Sequence, residues 1–402
     1  MVSQNDRDIL KELAKIYMEA ASAPRNAENV NLWKELNCGK MARPMVSVAV
    51  RPPETDENMQ CKVEDPYWRE VERSLRRRLY IWQQSPADMV IEPFIKIPMS
   101  VTDSGYGIQT TGENDSGALR YRPFVDENMD LSIITSRTFK HESTETRRHF
   151  IEGEDMFSGI APIRVHGVTF KLGIWEEITA WLGMEQCYTM LKDHPDFVHK
   201  LLRKMTNALT AGIRQVNTMR ISNDFANTCN GSYVYDDKFL PIPGKGKGAV
   251  TSNSWASGMA QIFASMSPEL TKEFEIPYFR ELAWEFGSVY YGGEEVFHDR
   301  LDILKKVPNI RKLSCSPRND RALFFEAVPS NIVVSVKPSL ALLSASPLDE
   351  AAIRKEIEDA CALAKTHGKK LEFILKDIPA NLNRPDIIGR WSQIAMEVVK
   401  SW

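Results

Sequence analysis

The chain has 402 residues, with 51 basic and 54 acidic side chains and a formal charge of −3. It is long enough to bury a full core in one large or two ordinary domains, and too evenly charged for nucleic acid or an anionic membrane surface to be its main partner. Its six cysteines, Cys38, Cys61, Cys187, Cys229, Cys315 and Cys361, form no C-x-x-C pair, so neither a disulfide framework nor a thiolate zinc knuckle is expected and a reducing cytoplasm fits.

The first segment, "MVSQNDRDILKELAKIYMEAA", is charged and amphipathic rather than a basic stretch followed by an apolar core. Residues 1–40 are therefore expected to be a helical extension, and no stretch approaches the roughly 18 apolar residues of a membrane span. "RPMVSVAV" reads as a strand, "DPYWREVERSLRRRLYIWQQ" as a helix and "DMVIEPFIKIP" (88–98) as a strand. A polar insertion follows, "MSVTDSGYGIQTTGENDSGALRYRPFVDENMD", and then the strand candidate "APIRVHGVTF". The segment "DHPDFVHKLLRKMTNALTAGIRQVNTM" places Val198, Leu201, Met205, Leu209, Ile213 and Val216 on one helical face. "RISNDFANTC" is a further strand candidate, followed by a second polar insertion around 231–250.

The C-terminal half alternates between two periods. "SVYYGG" (288–293), "NIRKLSCSP" (309–317), "NIVVSVKPS" (331–339) and "KLEFILKDI" (370–378) read as strands. Each precedes a helical segment: "VFHDRLDILKKVP", "RNDRALFFEAV", "DEAAIRKEIEDACALAKTHG" and "RPDIIGRWSQIAMEVVKSW". Gly368 stops one of these helices and Pro385 starts another. Successive strand–helix units imply parallel strands with covering helices, because a parallel pair needs a long crossover. The strand count approaches eight, so the expected fold is an α/β (β/α)8 TIM barrel in one domain, 1–402, with a doubly wound open sheet as the alternative.

In such a barrel the active site gathers at the carboxyl ends of the strands. There the sequence places Glu92, His166, Asn223, Asn227, Tyr291 to Glu295, Ser316, Lys337 and Asp377. The carboxylates, the histidine and Lys337 can do acid–base or metal work, or merely cap the following helices. In "GGEEVFH", Glu295 and His298 are three residues apart and share a face if a helix has begun, which suits a metal ion or a shared proton. Acidic residues at a helix start are equally favoured by its dipole. The "GKGKG" run (244–248) lacks phosphate-loop spacing and reads as a loop over the pocket, and "RSLRRR" (73–78) as a solvated helix face. The asparagines of "SNDFANTCNGSYVYDD" fit either hydrogen bonding to a polar ligand or a set of turns.

The segments "SVYYGGEEVFHDRLDIL", "NIRKLSCSPRND", "VVSVKPS", "FILKDI" and "WASGMAQIFASMSPELTKEF" resemble the uroporphyrinogen decarboxylase superfamily, whose (β/α)8 barrels include corrinoid-dependent methyltransferases. The arginine-rich motif with which the decarboxylase binds its tetrapyrrole is not found in "APRNAENVNLWKELNCGKMARP". Thiol-methylating members carry a His-x-Cys zinc motif where this chain has Tyr291 and Gly293, so a thiolate zinc site is not expected. The resemblance then implies the methyltransferase component of an O-demethylase system, which moves a methyl group from a methoxylated, often aromatic, compound to Co(I) of a separate corrinoid protein.

On that reading the leaving oxygen needs a proton or a Lewis acid, and Glu295, His298, Tyr291 and Asp377 are the candidates for activating it. Glu295, His298 and Asp377 are the candidate ligands should zinc be bound through oxygen and nitrogen. Asn223, Asn227, Trp255, Glu92, His166 and Lys337 are the candidates for substrate binding, the tryptophan by stacking on a ring. The alternatives are a non-catalytic barrel that binds a small molecule or corrinoid, and a decarboxylase of a non-porphyrin acid.

Overall fold

The structure is a computed structural model that describes the whole chain except residues 1, 54, 109–111, 116–117, 122–127, 224–227, 237–248, 380–381 and 383. In chain order its strands are β1 (Met45–Ala49), β2 (Ile95–Pro98), β3 (Val101–Asp103), β4 (Gly112–Asp115), β5 (Ala118–Tyr121), β6 (Phe139–His141) and β7 (Ile163–His166). There follow β8 (Thr228–Cys229), β9 (Ser232–Tyr233), β10 (Trp255–Gly258), β11 (Ser288–Tyr291), β12 (Ile310–Cys315), β13 (Val333–Val336) and β14 (Lys370–Lys376).

Six of these form one parallel sheet in the order β1-β14-β13-β12-β11-β10. This is a half-barrel with the strand–helix alternation of a TIM-like fold, not the closed eight-stranded barrel expected. Both edges are extended by isolated contacts: Asp88 N–H donates to Val46 O at 2.9 Å, and single parallel bridges join Lys171 to Ser257 and Val168 to Ser222. The expected 88–98 strand shortens to Ile95–Pro98, paired with β7. Pro93 supplies the reason, because it has no N–H to give a ladder.

With one exception, the helices predicted from periodicity and caps form. Pro24, Pro66, Pro195 and Pro385 each stand in a first turn, and Asp65 accepts the N–H groups of Tyr67 and Trp68. The predicted inner face of Pro195–Met219 is buried along its full length. One expected helix is largely absent: of "VFHDRLDILKKVP" only Leu301–Leu304 is helical. Asn319 Oδ1 takes the N–H groups of Phe297 (2.7 Å) and His298 (3.1 Å), while the Arg300 guanidinium is drawn to Phe263 O, Met266 O and Thr271 Oγ1. These tertiary bonds override the local pattern, so Glu295 and His298 do not share a helical face.

Side chains alternate across the parallel sheet. Leu371, Phe373 and Leu375 of β14 join the large outer core with the helices, whereas Glu372, Ile374 and Lys376 face inward onto the β8–β9 hairpin. That hairpin turns on Asn230 and Gly231, at φ +50° and +88°, the conformation of a type I′ loop. Below it the extension helix Pro24–Asn37 packs Trp33 and Leu36 against Met45, Val90, Tyr233 and Val333. Met45 and Val333 begin their strands, so this helix closes the amino end of the sheet and leaves function to the carboxyl end.

Gly258, the last residue of β10, has an outside constraint: a Cβ there would lie 2.1 Å from Phe279 Cε2. Gly258→Ala is expected to cost about 1–3 kcal/mol in chemical unfolding, because Phe279 is already packed on Tyr291. Among the described residues no helix is long and apolar enough to cross a membrane.

Candidate active site

The inward face begins with an ion pair. Lys312 of β12 and Glu372 of β14, both fully buried, meet at 2.6 Å. Lys312 Nζ also donates to Ser232 Oγ (2.6 Å) and Tyr233 O (3.1 Å), and Glu372 accepts from Ser232 Oγ (2.8 Å) and Ser335 Oγ. Every polar group of this network has a partner within the sheet or hairpin, and it anchors the hairpin rather than offering a reactive atom.

One layer higher, at the carboxyl ends, the arrangement changes. Lys337 follows β13 with the parity of Val333 and Ser335, and its N–H donates to Cys315 O (3.0 Å), extending the ladder by one residue. The residue is 3% exposed. Its Nζ lies 3.3 Å from Glu294 Oε1, in ion contact, yet among the described residues finds no hydrogen-bond acceptor at proper geometry. Burial, and then the charge of Lys376, lower its pKa; Glu294, Glu295 and Asp377 oppose the shift. The second lysine is firmly held: Lys376 Nζ donates to Asn230 Oδ1 (2.7 Å) and lies 3.0 Å from Asp377 Oδ2. Asn230 Nδ2 in turn donates to Gly292 O (2.9 Å), tying the hairpin to the loop after β11. Glu294 is 41% exposed at its side chain, so this mouth connects a buried ammonium to solvent through a carboxylate.

The residues named from sequence are distributed unevenly about this mouth. Lys337 is in it, and Asp377, exposed and at φ +56°, stands on its rim. Glu295 is close in sequence but its carboxylate is committed to the backbone N–H groups of Ala260 (2.7 Å) and Gly293, stapling the loops after β10 and β11. Burial raises its pKa, against those two bonds. His298 Nδ1 accepts from Asp320 N–H at 3.2 Å. Tyr291 points out of the sheet: its ring packs on Phe279 and Phe297 and its hydroxyl donates to Glu275 at 3.0 Å. Trp255 begins β10, at the amino end, enclosed by Cys229, Val234, Tyr290 and Ile374, so the proposed ring stacking at the mouth is not available to it. Asn227 and the 244–248 loop lie outside the described residues.

The candidate zinc ligands do not fit a zinc ion. Among the described residues no three His, Cys, Asp or Glu side chains converge as a metal site requires. The Glu295 oxygens and His298 Nδ1 are instead occupied by backbone donors.

Three other predicted residues do come together, away from Lys337. Asn223 Nδ2 lies 3.2 Å from His166 Nε2, and Asn223 Oδ1 is buried without a partner among the described residues. Lys96 pairs with Glu92 at 2.9 Å, and Arg78 approaches the same carboxylate at 3.8 Å. Burial, then Lys96, bring the His166 pKa down to about 4, so this imidazole is neutral at physiological pH; burial, then Arg78, bring Lys96 down to about 7. Beside His166 opens a cleft of about 430 Å³ walled by Met99, Val101, Phe139 and Phe170 together with Lys171 and Glu177. Sequence reasoning missed Lys96, Arg78, Lys376 and Asn230. Lys376 shares the parity of Glu372, and that alternation could have marked it.

Behind the mouth, burial raises the pKa of Glu275 to about 8, supported by Glu295 and Glu176 and opposed by the Tyr291 hydroxyl. Because the native pKa is the higher one, the folded chain binds the extra proton between the unfolded value and about 8. The stabilising contribution is whole below the unfolded pKa and is lost as pH rises through that window, by up to about 1.4 kcal/mol per pH unit. Glu275→Gln should flatten this part of the stability profile in denaturant titrations at stepped pH.

No protein-family model and no curated protein matches the chain. Among solved structures it is similar to a methyltransferase from Methanosarcina mazei, at 12% identity, covering 91% of this chain and 97% of that chain, with a TM-score of 0.48. A likeness at that level carries nothing about residues or chemistry.

Proposed function

We propose that this chain is a methyltransferase that takes a methyl group from a methoxylated, aromatic compound and delivers it to Co(I) of a partner corrinoid protein, with Lys337 protonating the leaving oxygen. What supports the reading is the resemblance carried by the segments around β11 to β14, together with one geometric observation. At the mouth of the parallel sheet stands a buried lysine amine that, among the described residues, has no hydrogen-bond acceptor of its own and one carboxylate in ion contact.

The corrinoid protein enters as the methyl acceptor, a second substrate. The methyl–oxygen bond breaks as the cobalt electron pair takes the methyl carbon, and the bonding pair stays on oxygen. A proton from Lys337 Nζ turns that oxygen into a phenol or alcohol, which removes the charge that makes an alkoxide a poor leaving group. Glu294 orients the ammonium and, being solvent-facing, returns a proton to the amine. Lys376, held by Asn230 and Asp377, keeps a second positive charge beside the developing oxyanion.

The test combines purified protein, a reduced corrinoid protein and a panel of methoxyaromatics, with chromatography of the demethylated product. A phenol should form only when all three are present. Absence of product across the panel, with a corrinoid protein shown to accept methyl groups chemically, would rule the reading out.

A further inference from the structure

The buried lysines of this chain are not equivalent. Lys312 has three polar partners and Lys369 donates to Val328 O at 2.6 Å, so both amines are held in place as donors. Lys337 is enclosed to the same degree, stands at the open end of the sheet, and lacks a hydrogen-bond acceptor among the described residues. Its neighbours are those that imine chemistry uses: a second lysine fixed in place, and a carboxylate reaching solvent.

We infer that Lys337 is also a nucleophilic amine that condenses with a small aldehyde or ketone to form an imine at the mouth of the sheet. The inference rests on the mouth being the active site and is independent of methyl transfer. The nitrogen lone pair attacks the carbonyl carbon and a carbon–nitrogen bond forms. The carbonyl oxygen then leaves as water with the two hydrogens of the amine, relayed through the Glu294 carboxylate, so no oxidant, reductant or further reactant is needed.

The groups facing the amine are Glu294 and Glu295 from the loop after β11 and Lys376 and Asp377 at the end of β14, while the Arg321 guanidinium lies 3.4 Å from the Lys337 backbone carbonyl. Burial and Lys376 move the amine toward its neutral, nucleophilic form. A lysine desolvated beside another cation is the general way a protein activates an amine near neutral pH.

The experiment needs no corrinoid protein: the full chain is incubated with pyruvate or with acetone, reduced with sodium borohydride at neutral pH, and mapped by peptide mass spectrometry. The reduced adduct should concentrate on the Lys337 peptide and disappear in Lys337→Arg, with an unchanged melting temperature. Lys376→Met should shift trapping to higher pH, because losing the neighbouring charge favours the ammonium, while Lys376→Arg should keep the wild-type profile. An adduct spread over exposed lysines, no adduct with either carbonyl, or a pH profile unmoved in Lys376→Met would each overturn the inference. Trapping without methyl transfer would instead leave it standing and remove the proposed function.

Discussion

Replacing Lys312 by methionine should lower the unfolding free energy by about 3–5 kcal/mol, the cost of leaving a buried carboxylate without its counter-ion. Glu372 would keep only Ser232 Oγ and Ser335 Oγ, inside a sheet where both members of the pair are fully buried. The converse variant, Glu372→Gln, should cost less, since its amide still accepts from Lys312 and the serines. The double variant Lys312→Met/Glu372→Leu should recover more than half of the loss, because a buried ion pair replaced by apolar side chains is often near neutral. A double-mutant cycle by urea unfolding reads all of these. If Lys312→Met unfolds at the wild-type midpoint, the pair is not the anchor of the hairpin.

Replacing Lys337 by methionine should have the opposite signature, with stability kept and turnover lost. Methionine fills the volume of the lysine stem and removes a buried amine that has no hydrogen-bond acceptor among the described residues, so the melting temperature should hold or rise. Methyl transfer should slow by about 10²–10⁴-fold, the usual contribution of a positioned acid. The loss should depend on the substrate: large for a methyl ether whose alcohol is weakly acidic, smaller for one whose phenol is acidic enough to leave unprotonated. Equal losses across such a series would assign Lys337 to binding rather than proton transfer.

Much of this architecture was legible from sequence where a single period dominates. The strands from β11 to β14, the helix Pro195–Met219 and the closing helix Pro385–Lys400 stand where alternation and 3.6-residue spacing put them. The failures have identifiable causes. Pro93 cuts short the 88–98 strand, and Asn319, more than twenty residues downstream of the segment it organises, takes the N–H groups that would have begun a helix at Phe297. The Asn230–Gly231 pair is a hairpin signal, and at these two residues the turn reading of the asparagine-rich run is the one the structure bears out. At the candidate site, Lys337 was found because it follows a strand. Glu295 and His298 looked reactive because local spacing cannot reveal that distant backbone donors already occupy them. Tyr291 and Trp255 show the matching limit: a residue can sit in the right strand on the wrong face, or at the wrong end.

The most direct measurement is a single-turnover experiment in which reduced corrinoid protein, a methoxyaromatic substrate and this chain are mixed and the cobalt absorption is followed in time. Co(I) should convert to methylated cobalt with the wild-type chain, and about 10²–10⁴-fold more slowly with Lys337→Met. Unchanged cobalt absorption with the wild-type chain, or equal rates for the two proteins, would contradict the proposed function.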